Sequence, residues 1–283
     1  MARVLIAGCG YVGEAAANLF HKEGWEVEGW TGSAESARQL AGKPYGVRAV
    51  DIADAAAVAE GCASREFDIV VQSVSSRGGE AEQYRRLYLD GARNLSRACP
   101  RARLLFTSST SVYAQKDGEM VDESSPTEPG HEKGKILRET EKLVLAQGGV
   151  VVRLGGIHGP GRSFFLTRFL EGTAAIDPDD CRLINQAHRD DIAVALLLLA
   201  KRSESGIFNV VGDEPITTRE AYEWLSETLK RPLPPTAKLP ERRKRGGGNK
   251  RVSNEKLRAL GWEPRYPNFR VAMTESILAS FGF

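Results

Sequence analysis

Cysteine is scarce in this 283-residue chain, and the four that occur, Cys9, Cys62, Cys99 and Cys181, make neither a CxxC pair nor a zinc-ligand spacing. Metal binding and a disulfide framework are therefore not expected, and scattered thiols of this kind fit a reducing, cytoplasmic setting. Long hydrophobic runs are also missing. The longest, Ile192–Ala200, is fenced by Asp190–Asp191 and Lys201–Arg202, far short of the roughly 18–20 apolar residues a membrane span needs. The opening MARVLIAG meets glycines before it could serve as the apolar region of a signal peptide. No excess of one charge is present: 39 basic against 37 acidic side chains leave a net charge of +2, which argues for no particular partner, and nucleic acid is not expected because the one basic stretch is short and lacks interleaved aromatics. There is no internal repeat, and the one biased tract is ERRKRGGGNKR, residues 241–251.

What is present is alternation. Short apolar runs at Arg3–Ala7, Trp25–Trp30, Val47–Val50, Phe67–Val71, Arg103–Phe106, Val150–Leu154 and Ile207–Val211 read as seven buried strands. Between them lie helical spacings at Gly13–Glu23, Ser33–Leu40, Asp54–Glu60, Glu80–Ala98, His131–Gln147 and Asp190–Lys201. Asp54 is placed to cap its helix. Strands and helices in turn predict an α/β Rossmann-type, doubly wound parallel seven-stranded sheet. A looser remainder holds helices at Ser163–Leu170 and Thr217–Lys230, a short strand at Arg182–Ile184 and two short C-terminal helices. The expected organisation is a core of residues 1–160, completed by 187–212, with 161–186 and 213–283 forming a small substrate lobe.

The first strand runs into Gly8-Cys9-Gly10-Tyr11-Val12-Gly13 and then a helix. A GxGxxG in that setting cradles a dinucleotide diphosphate. Gly8 permits the turn, Gly10 lets backbone approach the phosphates, and Gly13 brings helix and strand together, while the backbone of Tyr11 and Val12 opens the helix N-terminus. The second strand has no acid at its tip, where an NAD ribose is usually held. Thr31 and Ser33 stand there instead, with Arg38 beyond. They could hold a 2′-phosphate, which favours NADP over NAD, or simply cap the next helix. Asp51 and Ile52 follow the third strand, near the expected adenine. Gln72, Ser73 and Ser75 follow the fourth and face the same crevice by strand polarity.

Later motifs narrow the reading. Phe106-Thr107-Ser108-Ser109-Thr110-Ser111-Val112-Tyr113 is followed by Arg153-Leu154-Gly155-Gly156-Ile157-His158-Gly159-Pro160-Gly161, then His188-Arg189-Asp190-Asp191, then Gly206–Gly212, then Lys256-Leu257-Arg258 with Leu260-Gly261-Trp262 and Pro264. In this order they resemble the NAD-dependent epimerase/dehydratase family, the extended short-chain dehydrogenases/reductases, over nearly the whole chain. The resemblance implies NAD or NADP as cofactor and, as catalytic groups, a Ser or Thr, a Tyr and a Lys four residues after it. Ser109 matches the Ser and Lys135 the Lys. The tyrosine position holds His131, so the chain resembles an atypical branch. Helical spacing would put His131 and Lys135 on one face, and an imidazole exchanges protons near neutrality. Equally, His131 reads as a plain residue at a helix start.

The resemblance further implies an oxidoreductase or epimerase acting on a hydroxyl or carbonyl of a sugar-like compound, free or nucleotide-linked. The alternatives are a dinucleotide-binding sensor without catalysis, and a dehydratase or isomerase with tightly held cofactor. His158 is a cofactor contact or second proton-transfer group; Thr110, Tyr113, Asn185 and His188 are substrate contacts. Arg243, in the basic tract, could close on an anionic ligand. The acidic pair Asp190–Asp191 reads as a structural helix start. The long helices 80–98 and 131–147 are compatible with a homodimer.

Overall fold

The computed structural model describes residues 1–63, 65–76, 78–238 and 248–283; Arg243 lies outside them. Strands β1 (Arg3–Ala7), β2 (Glu26–Thr31), β3 (Gly46–Ala49), β4 (Ile69–Gln72) and β5 (Arg103–Ser109) alternate with helices α1 (Tyr11–Lys22), α2 (Ala34–Gln39) and α3 (Ala55–Cys62). The expected long helix is α4 (Ala81–Tyr84), a π-helical stretch at Arg85–Asp90, and α5 (Gly91–Ala98), running on without a break. After β6 (Met120–Val121) come α6 (Glu132–Ala146), β7 (Val150–Leu154), β8 (Gly156–His158), α7 (Phe164–Leu170), β9 (Gln186–His188), α8 (Arg189–Lys201) and β10 (Gly206–Val210). The chain closes with α9 (Thr218–Leu229), β11 (Arg251–Val252), α10 (Glu255–Arg258), α11 (Phe269–Ala272), π-helical Met273–Ile277 and α12 (Leu278–Ser280).

Seven strands form one parallel sheet in the order β10-β7-β5-β4-β1-β2-β3. The order reverses between β1 and β4, which opens a crevice at their carboxyl ends, the place where doubly wound sheets bind ligands. Burial explains the apolar runs: β1, β4 and β7 are covered on both faces. One apolar layer joins α1 and α8 to the sheet through Ala16, Ala17, Phe20, Leu196 and Leu199. The other packs α3, α5 and α6 on its opposite face through Val58, Leu95, Leu137 and Val144. A third cluster gathers Phe165, Phe169, Tyr222, Leu225, Phe269 and Met273 from α7, α9 and the last helices.

Two expectations change. Arg182–Ile184 is not a strand; Ile184 makes one antiparallel bridge to Ile216, and the strand of that region is β9, paired with β8. The tail also returns to the core, where β11 pairs with β6 in parallel. No helix among the described residues is long and apolar enough to cross a membrane.

Candidate dinucleotide site

The Gly-rich bend is fixed by steric demands of two kinds. Gly8 has φ +104°, and a Cβ there would lie 2.5 Å from the Ser73 carbonyl carbon. A Cβ on Gly13 would stand 2.1 Å from the Gly8 oxygen. Both glycines are therefore required by the protein itself. Gly10 differs: a Cβ there meets no atom of the described residues within 4 Å. Its bareness leaves room for something that approaches from outside, as a diphosphate does. The amides of Gly8 and Cys9 both donate to the Trp30 oxygen, at 3.0 and 2.7 Å, tying the bend to β2. No side chain caps α1, so its first amides face the crevice with the helix dipole behind them. These residues fit a dinucleotide diphosphate.

Around this bend the residues singled out from sequence divide. Ser73 lies alongside it, its amide donating to Ala7 at 2.8 Å. Tyr11 spans the mouth: its hydroxyl donates to the Pro160 oxygen at 3.0 Å, and its ring lies between the guanidinium groups of Arg189 (5.0 Å) and Arg162 (5.2 Å). Val12 is buried in the α1 layer. Thr31 is buried and donates to the Ser33 oxygen at 3.0 Å, while the Ser33 hydroxyl accepts from Ser36 as the cap of α2. Arg38 is exposed on α2. Asp51 is exposed and pairs with Arg86 at 3.2 Å. Ile52 is buried under Gly91, and its carbonyl accepts from Asn94 at 3.0 Å. Gln72 is fully buried; its Nε2 donates to the Leu87 and Tyr88 oxygens, and its Oε1 has no partner among the described residues. Ser75 is exposed.

The expected catalytic residues stand at the end of β5 and at the start of α6. His131 is the N-cap of α6, in extended conformation (φ −119°, ψ 147°), not its first helical residue. Its carbonyl takes the first i, i+4 bond of the helix, from the Lys135 amide at 3.2 Å, while its side chain turns back to cap the helix end. Its Nδ1 accepts the Gly134 amide at 3.0 Å, which places the hydrogen on Nε2, a buried atom with no partner among the described residues. Lys135 is 63% exposed beside Glu132 at 3.9 Å, on the same outer surface as Arg138, Glu139 and Lys142. Ser109 ends β5, half-buried, its Oγ accepting from the Ser111 amide at 3.2 Å. Thr110 is buried beside it.

Beyond β7 two histidines meet. His158 and His188 are register partners of β8 and β9, both buried, with ring centroids 5.7 Å apart. The Nδ1 of His188 accepts from Asp190, its Nε2 is 3.0 Å from the Ser276 hydroxyl, and its ring lies on Tyr266. Burial lowers His158 to a pKa of about 3, with His188 adding to the effect. His188 falls to about 4, again through burial, against the pull of Asp190. Asp191 accepts two backbone amides, from Arg265 and Tyr266, yet burial raises it to about 6. The signs oppose. Below pH 6.5 the unfolded chain protonates its histidines before the folded one does, so stability is lost as pH falls toward 4 and 3. Asp191 instead takes its proton first in the folded state and offsets part of this loss between pH 6 and 3.8. Urea unfolding at about pH 7 and about pH 4.5 should show a net loss on the order of 3 kcal/mol. Equal midpoints would contradict this balance.

Sequence reasoning missed a buried ionic knot beneath α6. Glu141, fully buried, accepts from Ser108 at 2.6 Å and from Arg153 at 3.0 and 2.8 Å, and also pairs with Arg138. The Arg153 guanidinium lies 4.8 Å over the Tyr113 ring, and the Tyr113 hydroxyl donates to Asn209 at 2.9 Å. The signal was legible: an arginine inside the apolar run Val150–Leu154 must find an anion. Also missed was Lys250, a buried amine donating to the Tyr113 backbone carbonyl at 2.8 Å and lowered by burial to a pKa of about 8. Asn185 is engaged in the same seam, donating to the Lys250 oxygen and accepting from Val252.

Comparison with known proteins agrees with this geometry. Residues 4–176 match the model of the NAD dependent epimerase/dehydratase family. Protein YeeZ of Escherichia coli (strain K12) is 30% identical over 225 residues, 74% of this chain and 77% of its own. A solved structure from Methylobacillus flagellatus, described as a candidate NAD-dependent epimerase/dehydratase, is 26% identical with a TM-score of 0.79, covering 99% of this chain and 98% of its own. The UDP-glucose 4-epimerase of Thermus thermophilus, solved with NAD, shares the fold at a TM-score of 0.84 and 22% identity, covering 100% and 99% of the two chains.

Proposed function

Because the chain belongs to the NAD dependent epimerase/dehydratase family, we propose that it binds a nicotinamide dinucleotide at the β1/β4 crevice and acts as an oxidoreductase or epimerase on a hydroxyl or carbonyl of a sugar-like compound. The observation that carries this is Gly10, whose missing side chain serves no protein contact. The α1 amides hold the diphosphate. When bound, the nicotinamide supplies hydride transfer. Ser109 keeps its hydroxyl hydrogen for a substrate oxygen, since its Oγ accepts from Ser111. With Nδ1 committed to Gly134, the Nε2–H of His131 is a hydrogen-bond donor for a substrate oxygen. NADP is preferred over NAD on this reading, because β2 ends without an acid and Arg38 is the cation at hand on α2. Segments 161–186 and 213–283 form the substrate side.

A second reading has its own support. The cap made by His131 and the exposure of Lys135 suit a dinucleotide-binding sensor without turnover. Calorimetry with NADPH and NADH, then NADPH consumption across aldehydes, ketones and free sugars, separates the two. The enzyme reading expects tighter NADPH binding and turnover that Ser109→Ala cuts about 100-fold. It also expects His131→Ala to lower turnover beyond the cost of about 1 kcal/mol in stability for losing a cap. Binding without turnover on any compound favours the sensor, and no binding of either nucleotide refutes both.

A further inference from the structure

The sequence suggests four unrelated thiols, yet two of them touch. The Sγ atoms of Cys62 and Cys99 are 2.7 Å apart. Cys62 is the last residue of α3, and Cys99 is the C-cap of α5, two helices packed side by side. Both side chains are buried, at 7% and 8% exposure, but they line the floor of a surface depression walled by Arg3, Arg65, Phe67 and Arg101. The depression lies at the amino-terminal edge of the sheet, away from the crevice. A small oxidant can reach the pair there without entering the dinucleotide site.

We infer that Cys62 and Cys99 are a reversible dithiol/disulfide site, oxidised by low-molecular-weight disulfides. A disulfide needs about 2.05 Å between sulfurs, a small side-chain shift from the observed contact. In the first step the Cys62 thiolate attacks one sulfur of R–S–S–R, forming a mixed disulfide and releasing RS⁻. In the second, Cys99 gives up its proton and attacks the Cys62 sulfur, releasing the other RS⁻. Two protein thiols are oxidised, one external disulfide is reduced to two thiols, and the protons pass to the leaving groups. The Cys99 thiol beside it favours the Cys62 thiolate, pushing its pKa down.

The bond would close a 37-residue span and fix α3 against α5. These two helices hold the segment after β3 from both sides: Asp54 caps α3, and Asn94 of α5 holds the Ile52 carbonyl. Cys9, buried against Gly29, and the exposed Cys181 serve as internal controls.

The experiment treats the full wild-type chain with glutathione disulfide, quenches it by alkylation under denaturing conditions, and maps the peptides by mass spectrometry. The expected result is a Cys62–Cys99 crosslink with Cys9 and Cys181 alkylated, a Tm raised by roughly 5 °C, and full reversal by dithiothreitol. In Cys99→Ser, the reaction should stop at a glutathione adduct on Cys62. Four alkylated cysteines after treatment, lasting glutathione adducts on the wild-type pair, or a crosslink through Cys9 or Cys181 would each overturn the inference.

Discussion

Gly10→Ala is expected to leave the protein folded while weakening NADPH binding about 10-fold or more, whereas Gly13→Ala is expected to damage the fold itself. The difference follows from where each new methyl would stand. At Gly10 it meets no atom of the described residues within 4 Å. It would therefore intrude only on a bound diphosphate. At Gly13 it lies 2.1 Å from a backbone oxygen of the same bend and 3.1 Å from the Ile6 side chain. Neither β1 nor the bend can move away, so α1 must lift off the sheet. A tenfold loss of affinity corresponds to about 1.4 kcal/mol, and overpacking a tight site costs about 1–3 kcal/mol. Calorimetry and thermal melts on both variants check this. Equal melting temperatures for Gly13→Ala and wild type would contradict the packing argument, and unchanged affinity in Gly10→Ala would contradict the site.

Glu141→Leu is expected to be the most destabilising single change in the α6 layer. It strips the anion from Arg153, which is 1% exposed and holds two of its hydrogen bonds to that carboxylate. Ser108 loses its acceptor at the same time. Removing one partner of a buried ion pair costs about 3–5 kcal/mol, because the other charge stays behind. Urea unfolding measures this. The paired change Glu141→Leu with Arg153→Met should recover much of the loss, since the desolvated charge goes too. A double variant no more stable than the single one would show that the knot contributes by shape and not by charge.

How far the fold could be read from sequence depended on how local each cause was. The sheet strands were legible because burial on both faces forces continuous apolar runs. β5 outran its apolar run because Thr107, Ser108 and Ser109 satisfy their hydroxyls inside the structure: Thr107 on the Gln72 carbonyl at 3.1 Å, Ser108 on Glu141, Ser109 on the Ser111 amide. The small pairs β6/β11 and β8/β9 were not legible. They are two or three residues long and depend on partners such as Arg251 for Met120. His131 shows another limit. The four-residue count to Lys135 holds for the backbone, but the direction of the imidazole follows from its capping the helix, which spacing does not reveal. Asp54 and Thr217, ordinary capping residues, carried that information in their identity. Within the site, the glycines were legible because steric need leaves few substitutes. Thr31 and Ser33 were ambiguous because a hydroxyl serves a helix end as readily as a phosphate.

Tyr11 belongs to both banks of the crevice. Its amide opens α1, while its hydroxyl and ring hold the 159–162 hairpin and the start of α8 in place. On the proposed reading, a nucleotide settling on the α1 amides braces the ring that props the opposite wall. On that reading the shared prop predicts an order of arrival, with the nucleotide as first guest and the second compound entering a chamber whose far side it has set.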